Sequence, residues 1–180
     1  LSGRIRPIYS VTTPTAVSEK LLRSVMEAAA EDGVPFETHM NEYASEVTAF
    51  IEKYGERPFD WMDREGLLSL SMTAPHCIFL SQSEIQVMAS HEICAVPCPF
   101  SNCGKGVPPV PRLLSAGIPV GLGTDGSAHG GLDLFQEMRL LRGVMNVTLG
   151  IGTADSAIMS AETLLTMATR GSAAALFEPG

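Results

Sequence analysis

Short apolar, β-branched runs alternate with amphipathic stretches along almost the whole chain, and this alternation limits the fold more than any other feature. Ile5–Val11 reads as a strand, broken by Thr12-Thr-Pro-Thr15. Over residues 16–31, Val17, Leu21, Leu22, Val25, Met26 and Ala29 recur at steps that mark one apolar helix face, and Gly33 stands where a helix ends. A short strand at Val34–His39 and a helix at Ala44–Tyr54 follow, closed by Gly55, and Pro58 opens a further helical turn toward Leu67. Leu70–Leu80 contains a strand, and Ser81 with Glu84 forms a capping box for the next helix. Ile93–Val96 and Ile118–Leu122 read as strands. Pro109–Ala116, Leu132–Val144 and Ala161–Thr169 read as helices.

Five strands, each followed by a helix, predict an α/β fold with parallel strands and right-handed crossovers. An open doubly wound sheet and a (βα)8 barrel both satisfy the pattern. No Gly-x-Gly-x-x-Gly follows the first strand, which weighs against a dinucleotide fold, and five units are too few to close an eight-fold barrel. No linker, repeat or low-complexity segment divides residues 1–180, so one domain is expected.

Charge narrows the partners. With 12 Lys and Arg against 20 Asp and Glu, the net charge of −8 argues against nucleic acid or an anionic membrane surface. The long uncharged stretch Leu67–Ser83 is interrupted by Pro75, His76 and serines and does not read as a membrane span. Cys94, Cys98 and Cys103 lack the spacing of a zinc ribbon, so together with Cys77 they read as reduced thiols of a cytoplasmic protein.

In parallel α/β folds, reactive groups collect at the C-terminal ends of strands. His39 ends the second strand, His76 lies in the third, Ser101 and Asn102 follow the fourth, and Asp125 ends the fifth. Two imidazoles and a carboxylate converging on one rim suit a borderline divalent cation such as zinc. Glu42, three residues beyond His39, has left the strand and suits a proton shuttle that does not ligate. Taken singly, each has an ordinary explanation: a hydrogen-bonded structural histidine, an Asp-Gly turn, a carboxylate at a helix N-terminus. Their joint placement makes the case for a site. A cysteine hydrolase is the competing enzyme reading, but Cys77 and His76 are strand neighbours and should point to opposite faces. His91 is expected exposed at a helix C-terminus, without a role.

Six segments stand in one order: His39-Met-Asn-Glu42, Tyr54-Gly-Glu-Arg-Pro58, His76-Cys-Ile-Phe-Leu80, Pro99-Phe-Ser-Asn102, Gly123-Thr-Asp125-Gly and Leu132-Asp-Leu-Phe-Gln-Glu-Met-Arg139. The set resembles the amidohydrolase superfamily, in its cytosine/guanine deaminase-like and triazine chlorohydrolase-like branch, over nearly the whole chain. The resemblance implies the C-terminal part of a TIM-type (βα)8 barrel, incomplete here. It also implies a metal-dependent hydrolase of carbon–nitrogen bonds other than peptide bonds, in particular a deaminase of a nucleobase or related heterocycle. By the same resemblance one divalent ion is expected, zinc first and iron second. His39, His76 and Asp125 are its ligands, and Asp125, Glu42 and His76 are the catalytic groups. Ser101 and Asn102 shape the loop, and His129 could contact substrate.

The family also takes two ligands from a His-x-His on its first barrel strand. The histidines here are 39, 76, 91 and 129, and no two lie two apart. That segment is expected before Leu1, so these 180 residues alone are expected to be inactive and to hold metal weakly or not at all. An open sheet edge predicts a homo-oligomer. The alternative from another class is a non-catalytic α/β scaffold or binding domain that keeps the pocket and has lost the metal site.

Overall fold

The computed structural model describes residues 5–127, 130–155 and 157–177. β1 (Tyr9–Ser10), β2 (Phe36–Glu37), β3 (Met72–Pro75) and β4 (Ile93–Val96) form one parallel sheet in chain order. The crossovers carry α1 (Glu19–Asp32), then α2 (Ala44–Tyr54) with α3 (Pro58–Arg64), then α4 (Gln82–Ser90). After β4 come α5 (Pro99–Asn102), α6 (Val110–Ser115), a 3-10 turn at Asp125–Ser127, and α7 (Leu134–Met145). A π-helical turn at Asn146–Gly150 leads into α8 (Ile151–Thr153). α9 (Ala161–Thr166) continues through a second such turn at Met167–Gly171 into α10 (Ser172–Ala175). The fold is α/β, and among the described residues the barrel wall is open.

Local chemistry sets the boundaries. α1 begins at Glu19, later than its apolar periodicity suggests, because Ala16 N closes a turn on Thr13 O (3.1 Å) and Ser18 Oγ caps Leu21 N (3.2 Å). Gly33 ends it in the left-handed region at φ 62°. α2 has the expected bounds, ended by Gly55 at φ 77°, and the Ser81–Glu84 capping box opens α4.

The fifth strand, expected over residues 118–122, is reduced to a single parallel bridge between Ala95 and Val120. Ala95 N donates to Pro119 O (3.0 Å) and Gly121 N donates to Ala95 O (2.9 Å). The next donation would come from residue 97, which is proline and has no N–H, so the ladder loses a rung there. Gly123 N still reaches Pro97 O at 3.0 Å, so the segment runs parallel to β4 as far as the site.

Phe36, Met72 and Ile93 are paired neighbours across the sheet, all buried, in one apolar cluster with Leu22, Met26, Met88 and Leu113. By strand alternation the paired Thr73 and Cys94 point the other way. There Thr73 Oγ1 donates to Ala175 O (2.6 Å), and Cys94 Sγ lies 3.8 Å from Gly171 O. α10 therefore closes over that face. Gly171 makes the approach possible: a β-carbon on it would lie 2.0 Å from Val120 O. Gly171→Ala should lower stability by about 2–3 kcal/mol through this overpacking, measured as a reduced urea midpoint. An unchanged midpoint would mean that α10 does not lie against residue 120 in solution.

Candidate metal centre

The rim of the sheet is built by chain segments that leave the strands and turn back across their ends. After β2 the chain passes through Thr38 and His39 to Met40, which forms a parallel bridge with His76. His39 N donates to Thr12 O (3.1 Å), and His39 Nδ1 lies 2.5 Å from the same carbonyl. A carbonyl only accepts, so Nδ1 carries the proton, and Nε2 is the ring atom that can offer a lone pair to a cation. The His39 and His76 rings stack, with centroids 5.1 Å apart at 18°.

His76 is 1% exposed, at φ 69°. Burial above all pushes its pKa below the usual histidine value, so the ring is neutral at pH 7. Its Nε2 is buried without a hydrogen-bond partner among the described residues, and Glu42 Oε1 stands 3.5 Å away. The Asn102 amide lies 2.8 Å from Nδ1. With its nitrogen toward the ring, it also donates to Cys98 O (3.2 Å) and accepts from Cys98 N (3.3 Å), and His76 Nε2 then carries the proton and faces the centre as a donor. With its oxygen toward the ring, Nδ1 holds the proton and Nε2 offers a lone pair. Asn102 thereby selects between the two uses of His76.

Asp125 sits at φ 55° in the turn after residue 123. Its Oδ2 accepts from Ser101 Oγ at 2.6 Å. That bond holds its carboxyl below the usual value; burial opposes it, and His76, Lys105 and His39 assist. Donor atoms of His39, His76 and Asp125 all lie within 4.8 Å of one another. Two imidazoles and a carboxylate at that separation, with one buried imidazole nitrogen unpartnered, fit a single divalent cation of the zinc type.

Glu42 is nearly buried, with Oε1 2.5 Å from Lys105 Nζ. Burial works against the Lys105 charge, but its hydrogen bond to Glu42 and the surrounding charges outweigh this and raise its pKa. Ser101 and Asn102 both lie in α5, one on Asp125 and the other on His76. His129 lies outside the described residues.

Sequence reasoning overlooked Lys105. The available signal was that Lys105 carries the only charge between Pro97 and Pro109. It also overlooked the support behind His39–Glu42. Glu84 is fully buried and accepts from Asn41 Nδ2 (2.9 Å), Arg57 Nε (2.7 Å), Ser81 N (3.0 Å) and Phe59 N (3.3 Å). Asn41, at φ 51°, is the turn residue next to Glu42, so this carboxylate ties the rim to α3 and α4. His91 is half-buried rather than exposed, because its Nε2 meets Asp63 Oδ1 at 2.7 Å.

The buried thiols are not nucleophiles. Burial pushes Cys77 well above its ordinary value, Cys94 to about 11 and Cys98 to about 12, so all three stay protonated at neutral pH. Cys77 does not follow strand alternation, because β3 stops at Pro75 and both His76 and Cys77 have positive φ.

The chain belongs to the amidohydrolase family, whose sequence model matches residues 1–176. It is 35% identical over 182 residues to the 5-methylthioadenosine/S-adenosylhomocysteine deaminase of Haloarcula marismortui, covering 99% of this chain and 41% of that protein. It is 34% identical over 177 residues to the 5'-deoxyadenosine deaminase of Methanosarcina acetivorans, covering 97% of this chain and 40% of the other. The chain thus spans about two-fifths of the length of these curated relatives. Among solved structures, an adenosine deaminase from Xanthomonas campestris with bound zinc superposes at TM-score 0.84 with 31% identity, over 93% of this chain and 38% of that one. A mutant atrazine chlorohydrolase from Arthrobacter aurescens, complexed with zinc and atraton, gives TM-score 0.80 and 27% identity, over 96% of this chain and 38% of that one.

Glu84→Ala should destabilise the chain by about 3–5 kcal/mol, because it strands the Arg57 charge and several donors. Glu84→Gln, which keeps one acceptor oxygen, should cost less. Urea unfolding of the two variants checks the order, and equal losses would show that the lost charge facing Arg57, not the lost acceptors, sets the cost.

Proposed function

We propose that this chain forms the proton-transfer side, and part of the metal-binding side, of a metal-dependent aminohydrolase that removes an exocyclic amine from a purine nucleoside or related heterocycle. The observation that carries the reading is the meeting of His39, His76 and Asp125 donor atoms within 4.8 Å, with Glu42 beside His76. The deaminase relatives support a nucleoside-type substrate, and the zinc-bound neighbours support zinc as the ion.

In this reading His39, His76 and Asp125 would hold the cation. Bound there, a divalent ion supplies the Lewis acidity that makes water a nucleophile at neutral pH. Asp125, kept ionised by Ser101, accepts a proton from the attacking water. The water oxygen forms a bond to the ring carbon that bears the amine. Glu42, ionised beside Lys105, would take the other proton of the water to the ring nitrogen, Asp125 would return its proton to the amine, the carbon–nitrogen bond breaks, and ammonia departs, leaving the oxygen as a carbonyl. With its proton on Nδ1, His76 would hold the ion through Nε2; with its proton on Nε2, it would leave the ion to His39 and Asp125 and donate to the new oxygen instead.

The proposal treats residues 1–180 as one unit of a (βα) barrel domain, an arrangement supported by a single apolar cluster running from Val11 to Met167. It includes self-association as a homo-oligomer, on the ground of the open sheet. It also includes a cytoplasmic location, on the ground of four free cysteines. Among the described residues no helix is long and apolar enough to cross a membrane.

Three variants of the full protein test the roles. His39→Ala should lose both metal and turnover. Asp125→Asn, nearly isosteric but a poor proton acceptor, should lose at least about 10²–10⁴-fold in kcat. Glu42→Gln should lose turnover and keep its metal. Zinc content measured beside ammonia release decides the matter. Near-normal turnover of Asp125→Asn would refute the mechanism, and a fully folded protein that takes up no zinc would favour the scaffold reading.

A further inference from the structure

One ammonium lies inside the acidic part of this centre. Lys105 Nζ is 2.5 Å from Glu42 Oε1, 2.6 Å from Ser101 Oγ and 4.0 Å from Asp125 Oδ2, and its side chain is 8% exposed. The direction of the hydrogen bonds follows from chemistry. Lysine can only donate and an ionised carboxylate can only accept, so Ser101 takes a hydrogen from Lys105 and gives its own to Asp125 Oδ2 at 2.6 Å. The face of Tyr43 lies 5.4 Å from Nζ on another side. The lysine thus bridges the two carboxylates that the reaction would use, within one hydroxyl of the donor cluster.

We propose that Lys105 is the internal counter-cation of the centre, offsetting Glu42 and Asp125 when no metal is bound and opposing the entry of a divalent cation. The inference rests on the metal-site reading above and adds a residue to it. Its physical basis is like-charge repulsion: an ammonium near a partly buried binding position is poorly screened and weakens any cation placed there. Removing Lys105 takes away the ammonium that stands 2.5 Å from Glu42 Oε1 and 4.0 Å from Asp125 Oδ2. The metal-free protein should therefore be less stable and bind metal more tightly. A lysine that served only to fill space would lower stability equally with and without metal and leave affinity unchanged.

The test uses the full protein stripped with a chelator, zinc alone as the probe, and two readouts: affinity by competition with a chromophoric chelator, and melting temperature with and without zinc. Lys105→Met should melt lower when metal-free, bind zinc about tenfold more tightly, and gain more from zinc in melting temperature than wild type does. Lys105→Arg should restore wild-type affinity. Lys105→Gln, which keeps a donor but not the charge, should behave like Lys105→Met and serves in its place if that variant does not fold. Wild-type affinity in Lys105→Gln would show that hydrogen bonding rather than charge matters, and would overturn the proposal. His39→Ala separates the two claims. If it loses zinc while the uncharged Lys105 variants bind as wild type does, the site stands and the counter-cation fails. If it binds zinc undiminished, the cation lies elsewhere and both readings fall.

Discussion

Parallel pairing of β2, β3 and β4, carried past the end of β2 by the bridge between Met40 and His76, fixes the height at which His39 and His76 stand. Parallel strands end at one side, so side chains just beyond those ends have a common rim. The pairing puts His39 next to His76, close enough for the rings to stack at 5.1 Å. The weaker contact of residues 119–123 with β4 delivers Asp125 to the same rim. A register slip of one residue on β3 would turn His76 away and leave His39 and Asp125 without it.

The electrostatics of the rim follow from what surrounds it. Two carboxylates and two imidazoles stand in a partly buried space, where unpaired charge is costly. The local solution is a relay of fixed hydrogen bonds. Thr12 fixes the proton of His39 on Nδ1, Asn102 orients the His76 ring, Ser101 holds Asp125 ionised, and Lys105 pairs with Glu42. Behind them Glu84 gathers four donors from Asn41, Arg57, Phe59 and Ser81, so the loop carrying Glu42 is anchored to helices rather than left to solvent. These supporting groups lie on five different chain segments. Such a site cannot be read from any one motif.

That distribution explains what was legible in the sequence. Elements bounded by local chemistry came out well: Gly55 closes α2 where its φ of 77° demands a residue without a β-carbon, and the Ser81–Glu84 box opens α4. β4 has the expected bounds because its run of four apolar residues is flanked by polar ones and a proline. The fifth strand was over-read, since periodicity registers apolar residues and does not register that Pro97 removes a rung from the neighbour. His39, His76 and Asp125 were legible because strand ends are predictable from alternation. Lys105 and Glu84 were not, because their importance lies in partners 63 and 43 residues away in the chain, Glu42 and Asn41, and pairings of that kind leave no periodic trace.

Backbone conformation at the rim carries the final step. Among the described residues, six that are not glycine have positive φ, and four of them are Asn41, His76, Cys77 and Asp125. Each such residue costs about 1–2 kcal/mol relative to the right-handed region, and glycine would relieve the cost. Glycine at 76 or 125 would also remove the imidazole or the carboxylate. The strain is therefore retained where a side chain must turn back over the strand ends. It is held in place by bonds from neighbouring strands: His76 N to Val96 O (2.9 Å), Cys77 N to Met40 O (3.0 Å) and Ile78 N to Asn41 O (3.2 Å). Strain concentrated in this way, and balanced by the sheet it caps, is what a preorganised centre requires. In the proposed centre the donor positions would be set by the backbone and not by the cation.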